Sequence, residues 1–166
     1  PGAYDYRLFT HPTGVPLILV RGDDSTIRGF YNICPHRGNT LLYDPAGNAK
    51  RLTCIFHAWS FDTRGNCIDI SRAEQGYQDR FCKEDAALRE VKAQMGFGGF
   101  VWVNLDDNPK VSLEEWAAPA FECLRKTLDA EPLDVFHYHK AIVHANYKLW
   151  HDTNCEFYHD FMHYHN

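Results

Sequence analysis

A chain of 166 residues with 45% hydrophobic and 14% aromatic content is long and apolar enough to bury a real core, which excludes a disordered polypeptide. Its formal charge of −5, with basic residues scattered and not gathered into a stripe, excludes a nucleic-acid surface. No apolar run approaches the roughly 20 residues that span a bilayer, and the N-terminus lacks the charged and apolar blocks of a secretory signal, so a soluble cytoplasmic protein with no membrane partner is expected.

In chain order, Pro16 to Val20, Ile27 to Ile33 and Leu52 to Phe61 are short apolar, β-branched runs. They alternate with the turn-rich stretches "GDDS", "YDPAGN" and "DTRGN". Together they predict an all-β domain. The run "MGFGGFVWVNL", from Met95 to Leu105, adds a strand whose glycines imply a bulge or a close backbone approach, and the β unit ends near Asp107.

At Ser112 the pattern changes. "SLEE" has the spacing of a capping box, so a helix starts there. Pro119 is expected to interrupt it, leaving a short first turn and a second helix that turns Leu124 and Leu128 inward and stops at "DAEPLD". Val135 to Val143 alternates like a strand, and "NYKLWHDTNCEFYHDFMHYH" is helical in its second half. The expected organisation is a β domain over 1–110, a helical connection over 111–134 and the start of a further domain over 135–166.

Six cysteines at uneven spacing (34, 54, 67, 82, 123 and 155) in a chain of this size read as reduced thiols and not as a disulfide framework. Histidine is the unusual residue: seven of the ten lie after position 130. His137, His139, His144 and His151 have no partner at a metal-binding spacing and read as surface or packing residues.

Upstream, Cys34 and His36 form C-x-H, followed after seventeen residues by Cys54 and His57 as C-x-x-H, each pair at the tip of a β segment. A tetrahedral zinc site is one reading of these four donors, although zinc loops more often pair two cysteines on one loop. The alternative is a two-iron cluster with both cysteines on one iron and both histidines on the other, each loop serving both irons.

On the strength of "CPHRGN" and "CIFHAWSF", the chain resembles the Rieske domain of the α subunits of ring-hydroxylating oxygenases. The resemblance implies a mainly β Rieske domain followed by the beginning of an α+β, helix-grip-like catalytic domain. It also implies a [2Fe–2S] cluster on Cys34, His36, Cys54 and His57. Arg37, Gly38 and the amides from Phe56 to Trp59 are candidates to surround the sulfurs, with Trp59 as packing. The family more often has tyrosine and glycine where this chain has Phe56 and Ala58, which removes one phenol.

The resemblance extends to "ANYKLWHDTNCEFYHDFMHYH", similar to the family's Asn-Trp-Lys stretch leading into an acid-x-x-His and a second histidine. Here Tyr147 replaces the tryptophan and Glu156 the usual aspartate. It implies a mononuclear non-haem Fe(II) on His159 and His163, with His165 the alternative second ligand and the third ligand beyond residue 166. His159 and His163 would share one face of a helix. Glu156 would link His159 to the His57 of a neighbouring subunit, and Asp152 is a weaker candidate for the iron's surroundings.

The implied activity is hydroxylation of an aromatic substrate with dioxygen, as part of a subunit several hundred residues long. "GYQDRF" and "DTNCEFYHDF" lean toward aromatic acids or polycyclic hydrocarbons. Electrons would come from a ferredoxin or an NAD(P)H-dependent reductase, and the assembly would be a homotrimer with or without a small β subunit. A Rieske ferredoxin acting only as an electron carrier is the rival reading.

Overall fold

The computed structural model describes residues 2–77, 80–128, 131 and 134–155. The chain divides into two compact units, Pro1–Pro132 and Leu133–Asn166.

Among the described residues of the first unit nine strands run β1 (Asp5–Thr10), β2 (Pro16–Arg21), β3 (Ile27–Tyr31), β4 (Ala46–Asn48), β5 (Leu52–Thr53), β6 (Ser60–Phe61), β7 (Cys67–Asp69), β8 (Glu90–Met95) and β9 (Val101–Asn104). Six form an antiparallel sheet in the order β4-β1-β2-β3-β8-β9, and β5-β6-β7 form a second, three-stranded sheet. In β2, Leu17, Ile18 and Val20 are all buried, so this central strand is covered on both faces. Ile18, Phe30, Leu52 and Phe61 from the two sheets and Leu41 and Trp59 from the loops between strands are among the side chains that close one core.

The turns follow their sequence. At "GDDS" the Gly22 and Ser25 N–H groups close the β2–β3 hairpin onto Thr26 and Gly22 carbonyls, at 2.8 and 3.1 Å. At "DTRGN" the Asp62 carboxylate accepts from the N–H groups of Arg64 and Asn66 at 2.8 and 2.9 Å, with Gly65 at φ 84°. "YDPAGN" is more than a turn, since its Ala46–Asn48 pairs with β1 as an edge strand.

Several expectations are corrected. Leu52 to Phe61 is not one strand; β5 and β6 pair antiparallel, Leu52 opposite Phe61, around a loop that starts at Cys54. Met95 to Leu105 is not one strand, because the glycines after Met95 form the connection of the β8–β9 hairpin with Gly98 and Gly99 at φ 67° and 76°; the expected close backbone approach is met at Gly96, where a Cβ would lie 2.6 Å from Trp102 Nε1. Finally, α2 runs unbroken from Leu113 to Leu128 with Pro119 inside it. Its predicted start holds, for Ser112 Oγ accepts from the Glu115 N–H at 3.1 Å. Proline only deprives the exposed Glu115 carbonyl of its helical donor, and water can replace that bond. The buried stripe is Ala117 and Phe121, with Phe121 5.7 Å from the Trp102 ring, while Leu124 faces out and the side chain of Leu128 lies outside the description.

The preceding short helix α1 (Ala73–Gly76) starts from Arg72 in the left-handed region, at φ 57°. In the second unit, α3 (Tyr147–Asn154) is capped by Asn146, whose Oδ1 accepts from the Lys148 N–H at 3.0 Å. Val135 to Val143 is not a strand, and every described residue from 134 to 155 is exposed. His137, His139, His144 and His151, read from the sequence as surface or packing residues, are among them. No described helix is long and apolar enough to cross a membrane.

Candidate metal centre

Cys34 and Cys54 open two loops built to one plan. In the first, the Cys34 N–H donates to the Asn39 carbonyl at 2.7 Å and the Gly38 N–H to the Cys34 carbonyl at 2.9 Å. In the second, the Cys54 N–H donates to the Trp59 carbonyl and the Ala58 N–H to the Cys54 carbonyl, both at 2.9 Å. The fourth residue after each cysteine has a positive φ, 70° at Gly38 and 58° at Ala58. Glycine takes that conformation freely, whereas alanine takes it at a cost of about 1–2 kcal/mol.

These loops sort the four donors into two pairs. Cys34 and Cys54 are fully buried and belong to the main core. His36 and His57 are half-buried at the rim, ring centroids 4.6 Å apart and nearly perpendicular. Burial pushes the Cys34 thiol up to about 11; the backbone N–H groups of His36 and Arg37 act against the rise, and the Cys54 sulfur beside it adds to it. The Cys34 thiol therefore stays protonated at neutral pH until a metal displaces its proton. His36 is pushed down, first by burial and then by His57 and Arg37, and so is neutral and able to ligate.

Among the described residues, no three histidine, cysteine or carboxylate side chains converge as one ion would require. Two buried sulfurs with two rim imidazoles give each iron of a two-iron cluster its two protein donors, and this layout fits that group better than a single tetrahedral zinc.

The surroundings hold the rim. Trp59, buried, stacks on His36 at 4.6 Å and 8°, and Phe56 lies 4.0 Å from His57. Asn39 Nδ2 approaches the Cys54 sulfur at 3.8 Å. Two residues escaped the sequence reading. Buried Asn32 accepts from the N–H groups of Leu41 and Leu42 at 3.2 and 2.9 Å and donates to the Leu42 carbonyl at 2.8 Å, fastening the chain that leaves the first loop to the end of β3. Its signal was a lone amide two places before Cys34 in an apolar run. Tyr77 places its hydroxyl 3.2 Å from His36 Nε2, a contact 41 residues distant in sequence that no local pattern announces.

All six cysteines are free thiols. Asp152 is exposed on α3. Glu156, His159, His163 and His165 lie outside the described residues.

Residues 5–91 match the Rieske [2Fe-2S] domain family. Over its whole length the chain is 61% identical to the methanesulfonate monooxygenase hydroxylase subunit alpha of Methylosulfonomonas methylovora, and 40% identical to the 2-aminobenzenesulfonate 2,3-dioxygenase subunit alpha of an Alcaligenes species. It spans 42% of each of these relatives. Among solved structures, naphthalene 1,2-dioxygenase with indole bound superposes on 75% of this chain, and on 28% of that one, with TM-score 0.68 and 31% identity. A quaternary ammonium Rieske monooxygenase in complex with L-carnitine does so over 75% of this chain and 34% of that one, with TM-score 0.67 and 32% identity. With its family match and its two-loop donor geometry covering the same strands, the chain belongs to the Rieske [2Fe-2S] domain family, as carried by oxygenase α subunits.

Proposed function

We propose that this chain is the electron-receiving part of an oxygenase α subunit that oxidises an organosulfonate with dioxygen. In this reading Cys34 and Cys54 hold one iron of the Rieske cluster, and His36 and His57 hold the other. The single observation that carries it is the sorting of these four side chains into a buried sulfur pair and a rim imidazole pair. The cluster supplies one-electron transfer at a potential raised by its two neutral ligands. The protein shields the sulfurs and leaves the imidazole edge accessible to an electron donor, a ferredoxin or an NAD(P)H-dependent reductase.

The proposed organisation is 1–110 for the Rieske domain, 111–134 for the connection and 135–166 for the start of the catalytic domain. Glu156, His159 and His163 are proposed for the mononuclear Fe(II) site, with Glu156 as the link to His57 of a neighbouring subunit in a cytoplasmic homotrimer, with or without a small β subunit. Similarity to oxygenase α subunits along the entire chain, well past Asp107, favours this over a pure electron carrier.

The substrate class rests on what the two relatives similar over the full length share. One is named for methanesulfonate and the other for 2-aminobenzenesulfonate, so the common group is the sulfonate, and the aromatic ring is the narrower reading. The test is oxygen uptake and product identification with the complete α subunit and its reductase on methanesulfonate, 2-aminobenzenesulfonate, naphthalene and carnitine. Turnover of one of the sulfonates, with about three irons per complete chain, is expected from one cluster plus one mononuclear site. Turnover confined to naphthalene or carnitine would overturn the sulfonate assignment, and two irons with no oxygen uptake would restore the electron carrier.

A further inference from the structure

The two imidazoles at the rim are not equivalent. His36 is held on two sides: its face stacks on Trp59 and its Nε2 meets the Tyr77 hydroxyl at 3.2 Å. Tyr77 is itself fixed. Its N–H closes α1 by donating to the Ala73 carbonyl at 2.9 Å, and its ring packs against Phe81 at 5.1 Å, which in turn lies 5.4 Å from Trp59. His57 touches the rings of His36 and Phe56, and among the described residues no hydrogen-bond partner meets its nitrogens.

We propose that Tyr77 is a positioning residue of the cluster, which fixes the ring nitrogen that His36 offers to iron and lowers the cluster's reduction potential by accepting a hydrogen bond from His36 Nε2–H. This rests on the ligand assignment proposed above. A neutral imidazole has one lone-pair nitrogen and one N–H. With the phenol at Nε2, the nitrogen left for iron is Nδ1, so the proton sits on Nε2 and the tyrosine oxygen is the acceptor. An acceptor on the remote N–H makes the imidazole a stronger donor to its metal, which favours the oxidised iron. Phe56 stands where the resembled family more often has tyrosine. In this chain a phenol therefore reaches the centre from α1, onto a ring nitrogen.

Tyr77→Phe removes the hydroxyl and keeps the ring that packs on Phe81. Two measurements on the complete, cluster-loaded subunit test the proposal, neither of which depends on turnover. Voltammetry at one fixed pH should give a higher midpoint potential in Tyr77→Phe than in the parent. Pulsed electron paramagnetic resonance of the dithionite-reduced cluster should resolve two distinct remote histidine nitrogens in the parent, and in Tyr77→Phe one of them should move toward the other. Phe81→Leu, which loosens the packing and leaves the hydroxyl, should shift both by less than Tyr77→Phe does. An unchanged potential with unchanged couplings in Tyr77→Phe would overturn the role of the phenol. So would an equal shift in Phe81→Leu, because packing would then suffice. A parent signal with no coupling to two histidines would instead overturn the ligand set, and the proposal with it.

Discussion

Two stretches of this chain are rich in aromatic residues and histidine, and the structure treats them in opposite ways. Between Tyr6 and Leu88 fourteen buried side chains converge on one core, and Cys34 and Cys54 are part of it. From 134 to 155 none is buried: Phe136 is 101% exposed, where Phe61 is 0%. The lesson concerns how a metal site is supported. In the β unit the donors sit on loops closed by their own backbone hydrogen bonds and anchored in a core that the same strands complete. In the second unit the described residues are organised by local hydrogen bonds, among them the Asn146 cap and the bonds of Thr153 and Asn154 back to the carbonyls of Leu149 and Trp150, so apolar content there does not translate into burial.

The contrast can be broken most forcefully at Phe61. Phe61→Ala deletes a fully buried ring beside the second loop and should destabilise the β unit by about 3–5 kcal/mol, seen as a lower denaturant midpoint. A loss below 1 kcal/mol would mean that the core does not depend on this strand. Next in size is Asn32→Ala, which leaves the Leu41 and Leu42 N–H groups and the Leu42 carbonyl without their partner. A cost of about 1–3 kcal/mol is expected from equilibrium unfolding. A neutral result would show that the first loop is held without this amide.

The same contrast explains what could be read in advance. The two loops that carry the proposed donors Cys34, His36, Cys54 and His57 were legible because residue identity, order and spacing are local, and each loop closes over five residues. β2, β3 and the Ser112 cap were legible for the same reason. β1 was not, since half of its six residues are polar and only Tyr6 is buried, and it becomes a strand by pairing with β2 on one side and β4 on the other. Pro119 misled because the rule against proline in helices counts a lost bond without asking whether water can replace it. Tyr77 and Asn32 act at long range or through the backbone, where spacing carries no information. The alternation of 135–143 predicted a strand, but alternation directs a chain only where one face has something to pack against.

Smaller effects sharpen the comparison. Ala58→Gly should stabilise the β unit by about 1 kcal/mol, because the left-handed backbone at φ 58° strains alanine and leaves glycine unstrained, with part of the gain lost to the unfolded chain. Calorimetry should therefore find a higher melting temperature; a lower one would mean that the Ala58 methyl packs favourably enough to outweigh its backbone. The smallest effect is the most discriminating. Phe136→Ala makes the same chemical deletion as Phe61→Ala, yet the side chain it removes is fully exposed, so the unfolding free energy read from denaturant titration should change by less than about 0.5 kcal/mol. A shift comparable with that of Phe61→Ala would show that residues 134–155 do bury their aromatic residues, and the difference between the two stretches would then lie in sequence spacing alone and not in packing.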